Sequence, residues 1–107
     1  MSSPYGPEPT REQVDQMSGA VLLDFGTNWC GICQALSPQL EGLLEHFPQV
    51  QHIRVEDGPG RPLGRSFRVK LWPNLVFLRD GRVIEQLARP APNEVRPALE
   101  RLTRADG

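Results

Sequence analysis

At 107 residues, the chain is long enough to bury a hydrophobic core without disulfide bonds or metals to hold it together. Its hydrophobic fraction of 38%, charged fraction of 23% and net charge of −1 exclude the strongly basic surface of a nucleic-acid-binding protein. No apolar stretch approaches the roughly 18 residues that a membrane-spanning helix needs. We therefore expect one globular domain over residues 1–107, with neither nucleic acid nor a membrane as a partner.

The start of the chain predicts an entry segment followed by a short helix. Residues 1–9 carry three prolines and a glycine, so we expect them to be extended or mobile. Thr10 and Gln13 fit a capping box, in which each side chain accepts a hydrogen bond from the backbone N–H of the other. The pattern predicts a short helix after Thr10 that runs to about Met17.

A buried strand and a long helix are predicted next. Ala20–Phe25 is almost continuously apolar, as expected for a central strand buried on both faces, and Asp24 is its one interruption. From Cys30 the pattern becomes helical, although Pro38 removes one backbone hydrogen bond and is expected to kink the helix. The large apolar residues of this helix form one core-facing stripe. They are Leu36, Leu40, Leu43, Leu44 and Phe47.

The second half of the chain continues with strands and helices. The β-branched content of Val50–Val55 favours a strand, and a short helix is expected near Pro62–Phe67. Asn74–Arg79 and Arg82–Leu87 are predicted to form a hairpin, because the Asp-Gly pair between them supplies the positive φ values of a type I′ turn. The last predicted helix runs from an N-cap at Asn93 to Arg104.

Strands and helices alternate at the front of this order, and two adjacent strands lie near its end. The alternation indicates parallel strands, and the hairpin adds antiparallel ones. The sequence therefore predicts an α/β fold, with a central mixed sheet of about four or five strands flanked by helices on both faces.

The two cysteines of the chain lie where the first buried strand gives way to the long helix. Cys30 and Cys33 are three residues apart, one helical turn, so they can close a small disulfide ring. Cys30 lies among the unpaired N–H groups of the helix start, where the helix dipole favours a thiolate over a thiol. This spacing predicts a reactive redox pair.

Other interpretations of these thiols stay open at this point. The pair could be a structural disulfide or two inert thiols. A tetrahedral zinc site needs four ligands, and only His46 and His52 remain as candidates, without matching spacing. A dimer that shares a cluster through two such motifs is a further alternative. Asp24 could be an ordinary solvent-facing strand residue, and Trp72 could be part of the core.

The residues around the cysteines resemble one known family. Asp24-Phe25, then Trp29-Cys30-Gly31-Ile32-Cys33, Pro38 eight residues after Cys30, and Trp72-Pro73 before a hairpin strand are similar to thioredoxin. The resemblance extends from Ala20 to about Leu102 in the same element order and implies the thioredoxin fold.

The resemblance implies a role for each of these residues. Cys30 would be the exposed nucleophile that attacks a substrate disulfide, and Cys33 the buried thiol that resolves the mixed disulfide. Asp24 would be a buried general base for Cys33. Pro73 would follow a cis peptide bond, which would leave the backbone of Trp72 free to pair with an extended substrate.

Several neighbouring residues would form the substrate rim around Cys30. They are Trp29, Gly31, Ile32, Trp72 and Pro73. The implied activity is thiol–disulfide exchange, with protein disulfides as substrates and an upstream reductase or other thiol donor as partner. The implied cofactor is none beyond the redox-active Cys30–Cys33 disulfide, and a monomer is expected. Because no signal peptide is visible and one CxxC pair indicates catalytic thiols rather than a disulfide scaffold, we expect a reducing, cytoplasmic location.

The sequence also departs from the family pattern. Ile32 stands where the familiar motif has proline, and Gly26 stands where thioredoxins often carry a second tryptophan, which leaves the floor beneath the site less filled. Gln34, Trp72 and Ala88 change the surface around the thiols. These departures keep an alternative function open, a thioredoxin-fold binding or chaperone-type module whose thiols are regulatory or vestigial.

Overall fold

A computed structural model of the chain describes residues 5–104. It contains four helices and four strands within that range. The helices are α1 (Arg11–Asp15), α2 (Gly31–Leu44), α3 (Pro62–Ser66) and α4 (Pro92–Arg104). The strands are β1 (Ala20–Gly26), β2 (Gln51–Glu56), β3 (Asn74–Arg79) and β4 (Arg82–Ala88).

The strands form one mixed sheet in the order β2-β1-β3-β4. β1 pairs with β2 in parallel and with β3 antiparallel, and β3 pairs with β4 antiparallel. The central position of β1 explains its apolar composition, because both of its faces are covered. The predicted α/β fold is confirmed, with four strands.

Two hydrophobic clusters cover the two faces of the sheet. Ala20 and Leu22 of β1 point to the face on which α2 and α4 pack, whereas Val21, Leu23 and Phe25 point to the face covered by α1 and α3. This division follows from the period-two alternation of side chains along a strand. Asp24 and Gly26 continue the row of Ala20 and Leu22 and therefore belong to the α2 face.

Helix α1 begins at the predicted cap but is shorter than predicted. Thr10 Oγ1 accepts a hydrogen bond from Gln13 N at 3.0 Å, and Gln13 Oε1 accepts one from Thr10 N at 2.9 Å, so the predicted capping box is confirmed. The helix ends at Asp15, before the predicted Met17, because the chain passes into turns: Gln16 N bonds to the Gln13 carbonyl and Met17 N to that of Val14.

The start of α4 corrects the predicted cap. The helix begins at Pro92, and Asn93 is its second residue rather than its N-cap. Pro92 suits the first helical position, where no intrahelical N–H bond is needed. Glu94 supplies a cap instead, since its Oε1 accepts a hydrogen bond from Ala91 N at 2.7 Å.

The tight turn between β3 and β4 has the predicted chemistry. Asp80 and Gly81 have φ values of 51° and 80°, as a type I′ turn requires. Asp80 also ties this turn to the residue before β1, because its Oδ1 accepts a hydrogen bond from Gly19 N at 2.7 Å. A Cβ on Gly81 would run into the backbone carbonyl of Asp15, so the turn also packs against the end of α1.

Glycine-to-alanine substitutions at two positions should change stability in opposite directions. We expect Gly81→Ala to lower the free energy of unfolding by at least about 1 kcal/mol, because it combines a positive φ with a backbone clash. Gly42→Ala, at an exposed position with open space in the last turn of α2, should raise it by about 0.5 kcal/mol. Urea unfolding of both variants checks this, and equal effects of the two would contradict it.

Candidate active site

A disulfide joins Cys30 and Cys33 at the start of α2, with their Cα atoms 5.3 Å apart. Cys30 is the N-cap of the helix, and its Sγ accepts a hydrogen bond from Cys33 N at 3.1 Å. The short loop from β1 is closed by a hydrogen bond from Cys30 N to the Thr27 carbonyl at 3.3 Å. The N-cap position therefore places one sulfur at the positive end of the helix dipole, which favours a thiolate once the disulfide is reduced.

An apolar rim lies around Cys30. Trp29 is 75% exposed and Ile32 is 51% exposed, which is unusual for side chains of this size and type. The ring of Trp29 meets that of Trp72 edge to face, with centroids 5.3 Å apart. This contact brings the segment containing Trp72 and Pro73 beside the cysteines.

Polar contacts fix the Trp72 segment from two sides. The indole Nε1 of Trp72 donates a hydrogen bond to Asp57 Oδ2 at 2.8 Å. Arg89 Nε donates one to the Trp72 carbonyl at 2.8 Å. The Trp72–Pro73 peptide bond is cis, as expected. Trp72 is partly exposed, so the alternative of a core tryptophan is wrong.

Asp24 and Cys33 face one cavity of about 150 Å³ beneath the disulfide. The other residues that line this cavity are Tyr5, Thr27, Asn28, Gln34, Ser37 and Arg54. The Asp24 side chain is only 13% exposed, so the alternative of a solvent-facing strand residue is wrong. Cys33 is partly exposed rather than fully buried.

Two basic residues of β2 accompany the Asp24 carboxylate. His52 Nε2 lies 3.0 Å from Asp24 Oδ2, and Arg54 Nε lies 3.9 Å from the same oxygen. Arg54 also donates to Ser37 Oγ at 2.5 Å and to Glu41 Oε2 at 2.8 Å, both on α2. The carboxylate therefore has charged and polar partners on the strand next to its own.

The entry segment reaches the same cavity through Tyr5. The Tyr5 hydroxyl donates a hydrogen bond to the Thr27 carbonyl at 3.2 Å. Burial, and after it the negative charge of Asp24, raise the pKa of Tyr5 above its ordinary value of 10.0, while the positive charge of Arg54 opposes the rise. The described part of the entry segment, residues 5–9, has no helix or strand and contacts the domain through Tyr5, and residues 1–4 lie outside the described range.

The chain is similar to known thioredoxins both in sequence and in fold. The thioredoxin family model matches residues 7–100. The chain belongs to the thioredoxin family. A thioredoxin of Chlamydia trachomatis serovar D is 39% identical over 70 residues, which cover 64% of this chain and 68% of the relative. The family match, these homologues and the disulfide together establish thiol–disulfide oxidoreductase activity.

Solved structures of thioredoxins have the same fold as this chain. Reduced thioredoxin 2 from Pseudomonas aeruginosa PAO1 is 47% identical, with a TM-score of 0.84 and full coverage of both chains. A mutant thioredoxin from Halobacterium salinarum NRC-1 is 25% identical, with a TM-score of 0.76 and 96% coverage of each chain. The thioredoxin fold expected from the sequence is confirmed.

Sequence reasoning found part of the site and missed the rest. Cys30, Cys33 and Asp24 come together as expected, and Gly31 is exposed with open space around it. From the sequence, His52 is a candidate only as a metal ligand, and no motif indicates Tyr5 or Arg54. The one signal for His52 and Arg54 is their spacing of two on the strand predicted beside β1, which puts both on the face of Asp24.

Two further properties of the described residues concern metal ions and membranes. Between residues 5 and 104, no three His, Cys, Asp or Glu side chains cluster in a way that could hold a metal ion. Over the same range, the helices are too short or too polar to cross a membrane.

The raised pKa of Tyr5 can be measured directly, because Tyr5 is the one tyrosine in the sequence. We expect tyrosinate absorbance to appear with a midpoint above pH 10 and to be missing in Tyr5→Phe. Because the folded-state pKa is raised, the folded protein binds this proton more tightly than the unfolded chain. Stability should therefore fall as the pH rises beyond 10, and less so in Tyr5→Phe. A midpoint at or below 10 would contradict this.

Proposed function

We propose that the chain reduces disulfides of other proteins, with Cys30 as nucleophile and Cys33 as resolving thiol. The observation that carries this assignment is the different position of the two sulfurs. Cys30 caps α2 beside the exposed Trp29, whereas Cys33 faces the enclosed side that it shares with Asp24. An incoming disulfide at the rim therefore meets Cys30 first.

The exchange has two steps in which electrons and protons balance. The Cys30 thiolate attacks one sulfur of the substrate, forms a mixed disulfide and expels the other sulfur as a thiolate, which takes up a proton. Cys33 then loses its proton to Asp24, attacks the Cys30 sulfur and releases the second substrate thiolate. Two electrons pass to the substrate, and the Cys30–Cys33 disulfide remains.

We propose that the rim binds the substrate. Trp29, Ile32 and Trp72 would cover apolar surface next to the substrate disulfide, and the open space at Gly31 would admit its backbone. Pro73 is buried, so it would support the Trp72 segment from within rather than cover the substrate. Binding of this kind favours exposed, flexible disulfides on other proteins.

The proposed reaction also requires an electron donor and a reducing compartment. A reductase or another thiol donor would return the disulfide to the dithiol form, with no further cofactor. We propose a single domain over residues 1–107 that acts as a monomer, since the thiols, the acid and the rim all belong to one chain. A reducing cytoplasm would keep the dithiol available.

Serine substitutions should separate the roles of the two cysteines. We expect Cys30→Ser to reduce insulin no faster than dithiothreitol alone, because no nucleophile remains at the rim. Cys33→Ser should attack but not resolve, so it should accumulate mixed disulfides visible on non-reducing gels. If Cys30→Ser retained wild-type turnover, the assignment would be wrong. A partner captured by the Cys30→Ser/Cys33→Ser double variant would instead favour the binding module.

Removing the acid beneath the disulfide should slow the second step alone. We expect Asp24→Asn to slow resolution of the mixed disulfide by about 10²-fold at neutral pH, because an amide cannot accept the Cys33 proton. The loss should shrink at alkaline pH, where Cys33 ionises without help. Glu41→Gln is the matched control, since it changes a carboxylate that also touches Arg54 but does not line the cavity. A pH-independent loss would argue against Asp24 as a base.

A further inference from the structure

The entry segment is bound to the domain at Glu8, which contacts α3. Glu8 Oε2 accepts a hydrogen bond from Leu63 N at 3.0 Å, in the first turn of α3. Arg61, the N-cap of that helix, provides no side-chain cap, so Glu8 satisfies a donor that α3 would otherwise leave unpaired. Arg61 Nη1 also lies 4.0 Å from Glu8 Oε1. With Glu8 fixed in this way, the chain before it extends to the Asp24 cavity.

The Tyr5 hydroxyl lies beneath the disulfide, next to Gly26 and Cys33. Gly26 ends the row of β1 side chains that faces α2, and it has no side chain to place there. A Cβ built on Gly26 would lie 2.7 Å from the Tyr5 hydroxyl and 2.8 Å from Cys33 Sγ. The hydroxyl and the sulfur are therefore neighbours across a space smaller than one methyl group.

We propose that Tyr5 is a positioning residue of the active site, whose phenol fills the space beside Cys33 that Gly26 leaves and so holds this sulfur for the resolving step. The inference rests on the proposed role of Cys33. The hydrogen bond to the Thr27 carbonyl holds the phenol in place, because Thr27 begins the loop that leads to Cys30. Tyr5 does not exchange protons with the sulfur: burial and Asp24 raise its pKa, so it stays a neutral donor at the pH of the reaction.

Two consequences follow for the resolving step. The phenol limits the rotamers that Cys33 can adopt, so its sulfur stays within reach of Cys30 when the mixed disulfide forms. The phenol also covers one side of the Asp24 cavity against bulk water. Neither effect touches the first attack, because Cys30 lies at the rim and does not line this cavity.

The two steps can be timed separately in one experiment. Reduced protein is mixed with one equivalent of 5,5′-dithiobis(2-nitrobenzoate). The Cys30 thiolate attacks the reagent disulfide and releases one thionitrobenzoate. The Cys33 thiolate then attacks the Cys30 sulfur, closes the protein disulfide and releases the second. Stopped-flow absorbance resolves the two releases.

We expect Tyr5→Ala to slow the second release by about tenfold and to change the first by no more than about twofold. Tyr5→Phe keeps the ring and loses only the hydroxyl, so it should fall between Tyr5→Ala and the wild type. If Tyr5→Ala lowered the melting temperature but left both releases unchanged, Tyr5 would be structural only and the proposal would be wrong.

A sharper test combines a substitution that adds a methyl group at Gly26 with one that removes the hydroxyl of Tyr5. Gly26→Ala should slow the second release, because its methyl group meets both the Tyr5 hydroxyl and Cys33 Sγ. Adding Tyr5→Phe removes the hydroxyl and lets the methyl group move away from the sulfur, so the double variant should be faster than Gly26→Ala alone. Gly42→Ala, which has open space around it, is the matched control and should show no coupling to Tyr5→Phe. Strictly additive effects at Gly26 and Tyr5 would overturn the proposal.

Failure of the underlying function gives a different result. If the wild-type protein released only one equivalent of thionitrobenzoate, Cys33 would not resolve, and the proposed function itself would be wrong. Two releases in the wild type, with no change in any Tyr5 variant, would reject the role of Tyr5 alone.

Discussion

The parallel pairing of β1 with β2 is the constraint on which the active site depends. It sets Asp24 opposite Arg54 and places His52 on the same face of the neighbouring strand. Burial of a lone carboxylate costs several kcal/mol unless it is paired, so an apolar central strand would otherwise not tolerate Asp24. The two basic partners explain how one acidic residue can remain beneath the disulfide in a strand that otherwise builds the core.

One row of side chains on β1 connects the core to the chemistry. Ala20 and Leu22 lie in the cluster against which α2 packs through Leu36 and Leu40. Asp24 and Gly26 continue that row towards the end of the strand, where Cys33 lies in the first turn of α2. The packing that stabilises the domain therefore also fixes the distance between the acid and the resolving cysteine, so the site needs no separate scaffold.

Local patterns predicted most of the fold, and long-range contacts limited what could be predicted of the site. The capping box at Thr10 and the Asp80-Gly81 turn depend on neighbours in the sequence, and both are observed. His52 meets Asp24 across 28 residues, and Tyr5 meets Thr27 across 22, so their pairing depends on a register that no local pattern encodes. The cap at Asn93 failed for a local reason, because Pro92 and Glu94 together make a better helix start.

Hydrogen bonds fix the position of Trp72 in the apolar rim around Cys30. Asp57 holds the indole of Trp72, and Arg89 already bonds to the Trp72 carbonyl, so the apolar surface is ordered before a substrate arrives. Such order lowers the entropy lost on binding. It also restricts the way a substrate can bind. An extended peptide that paired with the backbone of Trp72 would need that carbonyl, and it would have to displace the guanidinium of Arg89 to reach it. A substrate with a carboxylate beside its disulfide could accept hydrogen bonds from the displaced Arg89 guanidinium. Such a substrate would lose less binding free energy than one without a carboxylate there.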